Sequence, residues 1–180
     1  MDNEPAAVVT VAIADKNPLL RIALEQLFNS DARFDLVSAA SNGEEFVEHV
    51  ERERPDVGVV GWVMPRCDGA RVLERLRSSA STSRIVVYTG DPDPYVPKQV
   101  KALGGAGFCS KSVSPETLVE TVLAVAAGRS VFPFVDVSAL EDDPMATLTG
   151  RERDLLAALS SGRTNAELGV ELGVSVNTVK

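Results

Sequence analysis

Apolar residues in this chain fall into short unbroken runs separated by longer stretches with helical spacing. Val8 to Ala14, Val57 to Trp62 and Arg84 to Thr89 are rich in β-branched side chains and show little polar alternation. That pattern predicts strands covered on both faces. Phe34 to Ala40 and the short run Ala106 to Cys109 predict two more. Between them lie five helical patterns. Asn17-Pro18 opens the first, with Asn17 as cap and Pro18 at the first position, and Leu19, Leu20, Ala23, Leu24, Leu27 and Phe28 follow at helical spacing. The second runs from Asn42 to about Glu53, and the third from Asp68-Gly69 to about Ser79. A weaker one covers Tyr95 to Leu103, and Ser114-Pro115-Glu116 caps a last one ending near Ala127.

Strands alternating with helices imply right-handed crossovers and one doubly wound, five-stranded parallel sheet, an α/β domain over residues 1–128. Functional groups in such sheets gather just beyond the carboxyl ends of the strands. Asp15 and Lys16 follow the first strand, Gly61 closes the third, Thr89 ends the fourth, and Lys111 follows the fifth. Phe108, Trp62, Cys67 and Cys109 also fall near strand ends, and His49 is read as a solvated residue of the second helix.

Periodicity fails over 129–146, where Pro133, Pro144, Asp136, Glu141, Asp142 and Asp143 read as a linker. Residues 147–180 then form a small all-α pattern. Thr149-Gly-Arg-Glu152 and Thr164-Asn-Ala-Glu167 both fit the capping box, in which hydroxyl and carboxylate satisfy free backbone N–H groups at a helix start. Gly173 ends the second of these helices and Ser175 caps a third.

Charge refines the picture. The net charge of -8 argues against nucleic-acid binding if spread evenly. It is not spread evenly: residues 1–146 hold 14 basic and 22 acidic side chains, whereas 147–180 hold four of each. The acidity belongs to the first domain. Two cysteines and one histidine make neither a disulfide framework nor a histidine-rich metal site. No apolar run has the roughly 18 residues that span a bilayer. Met1 to Ala7 is acidic with no basic n-region, which points to the cytoplasm and away from a membrane.

These residues resemble a known family. Asp15 after the first strand, Gly61 with Met64-Pro65 and Asp68-Gly69, Thr89 and Lys111 look like the receiver domain of two-component response regulators. Leu148-Thr-Gly-Arg-Glu152, Gly162-Arg-Thr-Asn-Ala-Glu-Leu168 and Ser175-Val-Asn-Thr-Val-Lys180 resemble the LuxR-type helix-turn-helix. Together they match the NarL/FixJ class over nearly the whole chain. The resemblance implies strand order 2-1-3-4-5, a homodimer, and double-stranded DNA as partner, with Thr178, Val179 and Lys180 opening the recognition helix in the major groove. On it, the sequence stops about one turn into that helix. Phe108 takes the place of an aromatic switch residue, with a core phenylalanine as the plainer reading.

In the family, a pair of acids after the first strand holds magnesium, and an Asp after the third accepts a phosphoryl group. Thr or Ser and Lys then grip the phosphate. Here Lys16 stands at the second acid and Gly61 at the acceptor. Phosphoryl transfer needs a carboxylate nucleophile, and glycine offers none. Asp15, Lys16 and Lys111 sum to about +1, the wrong sign for a divalent cation held by one or two carboxylates. The expectation is an atypical, phosphorylation-independent regulator with no cofactor, no Mg2+ and no enzymatic site. Three readings of the cluster stay open. Lys16 or Lys111 pairs with Asp15 and fixes the loops; the cluster holds a small anionic or apolar ligand; or a protein docks there, the chain being an adaptor with a vestigial DNA domain. Asp68 is expected to cap its helix.

Overall fold

The computed structural model describes residues 8–133. The Met1–Ala7 segment, the linker beyond 133, the helices expected over 147–180, and Thr178, Val179 and Lys180 lie outside the described residues. The chain divides into two units, Met1–Phe134 and Val135–Lys180.

The described part alternates strand and helix: β1 Val9–Ala14, α1 Pro18–Asn29, β2 Phe34–Ala40, α2 Gly43–Glu53, β3 Val57–Val60, α3 Gly69–Ser78, β4 Arg84–Thr89, α4 Val96–Ala102, β5 Gly107–Ser110 and α5 Pro115–Ala126. All strands are parallel, in the order β2-β1-β3-β4-β5. Short polar caps set the helix starts. Asn17, Asn42, Asp68 and Ser114 each accept from backbone N–H groups of the first turn. Asp68 takes Arg71 N–H at 2.9 Å, the capping role expected of it.

Both faces of the sheet are buried, which is why the strands read as unbroken apolar runs. Helices α1 and α5 cover one face, where Leu24, Phe28, Leu118, Val122 and Val125 pack on Val11, Ile13, Val59 and Val86. Helices α2, α3 and α4 cover the other, with Phe46, Val50, Val72, Leu76 and Val100 against Ala12, Val60 and Val87. Phe28 and Phe46 are fully buried; each such side chain contributes about 1.5–3 kcal/mol. This packing fixes the strand ends and so the loops that carry the site.

Three differences from the sequence reading have local causes. Strand β3 stops at Val60, two residues before Trp62. Gly61 N–H makes a last bond to Ala14 O at 3.1 Å, and Trp62 O then accepts from Gly69 N–H at 2.7 Å, turning the chain out of the ladder. The packed unit also runs past residue 128. Val131 N–H donates to Ala106 O and Val131 O accepts from Phe108 N–H, so Val131 bridges beside Gly107. Phe132 packs on the α2–α4 side. The start of the expected linker thus covers the free edge of β5, a common way of blunting a sheet edge. His49 is half-buried, not solvated, and its Nδ1 has no partner among the described residues.

Candidate functional site

The strand order brings the loops after β1, β3, β4 and β5 together at one end of the sheet. Asp15 leaves β1 with only 2% of its side chain exposed. Both its carboxylate oxygens are engaged: Oδ2 accepts from Lys111 Nζ at 2.5 Å, and Oδ1 accepts from Asn17 N–H at 2.8 Å. Arg21 Nη1 donates to the Asp15 carbonyl at 3.1 Å. The Asp15 carboxylate is therefore a buried anion neutralised by Lys111 and turned away from solvent.

Lys111 reaches Asp15 from the loop after β5, which is anchored by Lys111 N–H to Thr89 O at 2.8 Å. Its ammonium lies 5.8 Å from the Tyr88 ring centroid, within cation–π range. Burial raises the Tyr88 phenol above its usual range, with Cys109 and then Asp15 adding to the shift. Thr89 is buried, and its Oγ1 accepts from Asp91 N–H at 3.1 Å, which ties it to the loop after β4.

Gly61 sits beside this pair. A Cβ built there would lie 3.0 Å from Met64 Sδ and 3.5 Å from Asp15 Oδ2. Lys16 is exposed and makes no ion pair among the described residues. Lys16, Gly61, Trp62, Val63, Thr89, Gly90, Asp91, Pro92 and Lys111 line a cleft of about 350 Å³. The sequence-predicted cluster is thus brought together, with Lys111 as the partner of Asp15 and Lys16 at the open side.

Phe108 is half-buried and packs against the cluster on the α2–α4 side, alongside Phe132. Both cysteines are free and buried. Burial pushes the Cys109 thiol up, against a smaller lowering by a hydrogen bond with Thr121. That is the reverse of the lowered pKa a redox thiol needs. Sequence reasoning missed Asn17, Arg21, Met64 and Tyr88 as parts of the site. Asn17 alone had a signal: an Asp two residues earlier commonly accepts its N–H in an Asx turn. Among the described residues, no three His, Cys, Asp or Glu side chains group to hold a metal ion, and no helix is long and apolar enough to cross a membrane.

Comparison with known proteins places this geometry. Residues 11–123 match the model of the response regulator receiver domain, and 146–180 match that of bacterial regulatory proteins of the luxR family. The probable transcriptional regulatory protein SgaR of Hyphomicrobium methylovorum is 38% identical over 175 residues, covering 97% of this chain and 83% of that protein. The nitrate/nitrite response regulator protein NarL of Escherichia coli K12 is 30% identical over 190 residues, covering 99% and 86%. The signal receiver domain of the putative response regulator NarL from Mycobacterium tuberculosis superposes with a TM-score of 0.66 at 28% identity, over 68% of this chain and 99% of that one. The chain belongs to the response-regulator receiver family and joins that domain to a luxR-family segment, as a transcription regulator of the LuxR/NarL type.

Proposed function

We propose that this regulator works without aspartyl phosphorylation, its receiver domain serving as a fixed or ligand-responsive module above the DNA-binding segment. The observation that carries the reading is the Asp15–Lys111 pair beside Gly61. The position that would hold the nucleophile has no side chain. The remaining carboxylate has one oxygen on Lys111 and the other on Asn17 N–H, so neither faces outward to meet a cation. Lys16 adds a positive charge where a second acid would bind magnesium. The donor set does not fit Mg2+.

On the same reading, Thr178, Val179 and Lys180 enter the major groove of double-stranded DNA, where lysine contacts guanine or phosphate and valine a thymine methyl. A homodimer would read paired half-sites, with affinity falling steeply as salt rises. The test is incubation of the full chain with acetyl phosphate and magnesium, followed by intact mass spectrometry. An unchanged mass is expected. A stoichiometric, hydroxylamine-labile phosphoryl adduct on any Asp would refute the proposal.

A further inference from the structure

The cleft beside Gly61 presents chemistry that the Asp15–Lys111 pair does not consume. A lysine ammonium carries three donors, and Lys111 directs one to Asp15 while its side chain stays 26% exposed. Lys16 stands exposed on the same cleft without an ion pair among the described residues. The neighbouring carboxylates each accept hydrogen bonds of their own. Asp15 is 2% exposed with both oxygens bonded, and Asp91 Oδ1 accepts from Asp93 N–H at 3.0 Å. The cleft therefore offers two ammonium groups, with Asp91, half-buried and bonded through one oxygen, as the carboxylate in its lining.

Beside the polar Thr89 and Asp91, the lining carries an apolar group of three side chains, Trp62, Val63 and Pro92. Val63 is 53% exposed, an uncovered side chain beside the cations. A volume of about 350 Å³ is generous for a bare phosphate and falls in the range of small-molecule sites. We infer that this cleft binds a small amphiphilic anion, a carboxylate or phosphomonoester bearing an apolar group. Its charged head is held by Lys16 and Lys111, and its body lies against Trp62, Val63 and Pro92. Such a ligand bridges the loops after β1, β3 and β5, the same loops a covalent phosphoryl group would have linked. The inference rests on the reading above that Gly61 carries no phosphoryl group.

Trp62 is the only tryptophan of the chain and lines the cleft, so its emission reports occupancy. The full chain is titrated with phenyl phosphate, benzoate, inorganic phosphate and neutral benzyl alcohol, with calorimetry as a second readout. Saturable binding is expected for phenyl phosphate and benzoate, weaker binding for inorganic phosphate, and none for benzyl alcohol. Lys16→Gln, at an exposed position, should leave the unfolding temperature unchanged and weaken phenyl phosphate binding by about tenfold or more, the loss of one charge-assisted contact. Raised salt should weaken it further. A flat titration across the panel, equal binding of benzyl alcohol, or an unaltered affinity in Lys16→Gln would overturn the inference. Acetyl phosphate treatment of the same sample separates the two ideas. A phosphoryl adduct sinks the phosphorylation-independent reading, whereas an unchanged mass with a flat titration sinks the ligand alone.

Discussion

Replacing Lys111 with methionine keeps the length of the side chain and removes the charge facing Asp15. The pair is asymmetric: Asp15 is 2% exposed and Lys111 26%. At an effective dielectric constant near 20, unit charges about 4 Å apart attract by about 4 kcal/mol. Desolvation of Asp15 offsets part of this, and water reaching Lys111 screens more. Removing one partner of a fully buried pair costs about 3–5 kcal/mol. The partial exposure of Lys111 and the surviving Asn17 N–H bond to Asp15 bring the expected cost of Lys111→Met to about 2–3 kcal/mol. For a domain of this size each kcal/mol moves the midpoint by about 3–5 °C, so a fall of about 6–15 °C is expected. Trp62 lies in the described domain, so its fluorescence follows that unit alone during thermal or urea unfolding. Asp15→Asn added to Lys111→Met removes the orphaned charge and should restore at least half of the loss. A single-variant cost under about 0.5 kcal/mol, within the range of surface pairs, would refute the view that this pair organises the site. So would a double variant no more stable than the single one.

Other perturbations test neighbouring parts of the reasoning. Gly61→Asp brings a second carboxylate toward Asp15 Oδ2 while Lys16 still opposes a cation; alone it should gain little phosphorylation from acetyl phosphate, and Gly61→Asp with Lys16→Asp should gain more, as read by intact mass. Gly43→Ala would place a Cβ 1.9 Å from the Cys67 carbonyl oxygen. Backbone must move there, and a loss of about 2–4 kcal/mol in urea unfolding is expected; an unchanged midpoint would contradict the packing of α2 against the loop before α3. Glu45 is held below its ordinary value of 4.5, first by the Ser41 N–H bond and also by the Ser41 hydroxyl, His49 and Arg21, against desolvation. A depressed folded-state pKa gives stability that is present above the unfolded value and lost as pH falls through the folded one. Glu45→Gln should therefore lower stability at neutral pH and flatten the acid decline below about pH 4.5; a parallel decline in both proteins would count against it.

The sheet was legible because both its faces are buried, which leaves a local signature in the sequence. Unbroken β-branched runs marked β1, β3 and β4, and polar caps marked four of the five helices, the weaker α4 following Tyr95 without a side-chain cap. The gathering of Asp15, Gly61, Thr89 and Lys111 followed from topology, since parallel strands put their carboxyl ends on one side. What the sequence left open depends on side-chain direction. Lys16 and Lys111 were equivalent candidates for Asp15, and only the anchoring of the loop after β5 through Thr89 O selects Lys111. Val131 and Phe132 were assigned to a linker because two apolar residues before a proline show no period. Their role comes from the open edge of β5 at Gly107, on the far side of α5 in the chain and so outside any local cue.

On the proposed reading, the residues Gly61 and Lys16 make most sense together. Strands β3 and β4 lie between β1 and β5 in the sheet, so Lys111 must reach across the end of β3 to meet Asp15. With a carboxylate at 61, the ammonium would have a second anion on its path and Asp15 would be less fully neutralised. With an acid at 16, the same loop would hold two negative charges at its mouth and call for a cation. Glycine at 61 and lysine at 16 remove both demands: one lysine neutralises the buried acid directly, and the other remains available on the cleft. On the proposed reading, Thr89 and Lys111 persist because they still link the loops, and the switchable element has passed from a covalent phosphoryl group to whatever anion the two lysines hold.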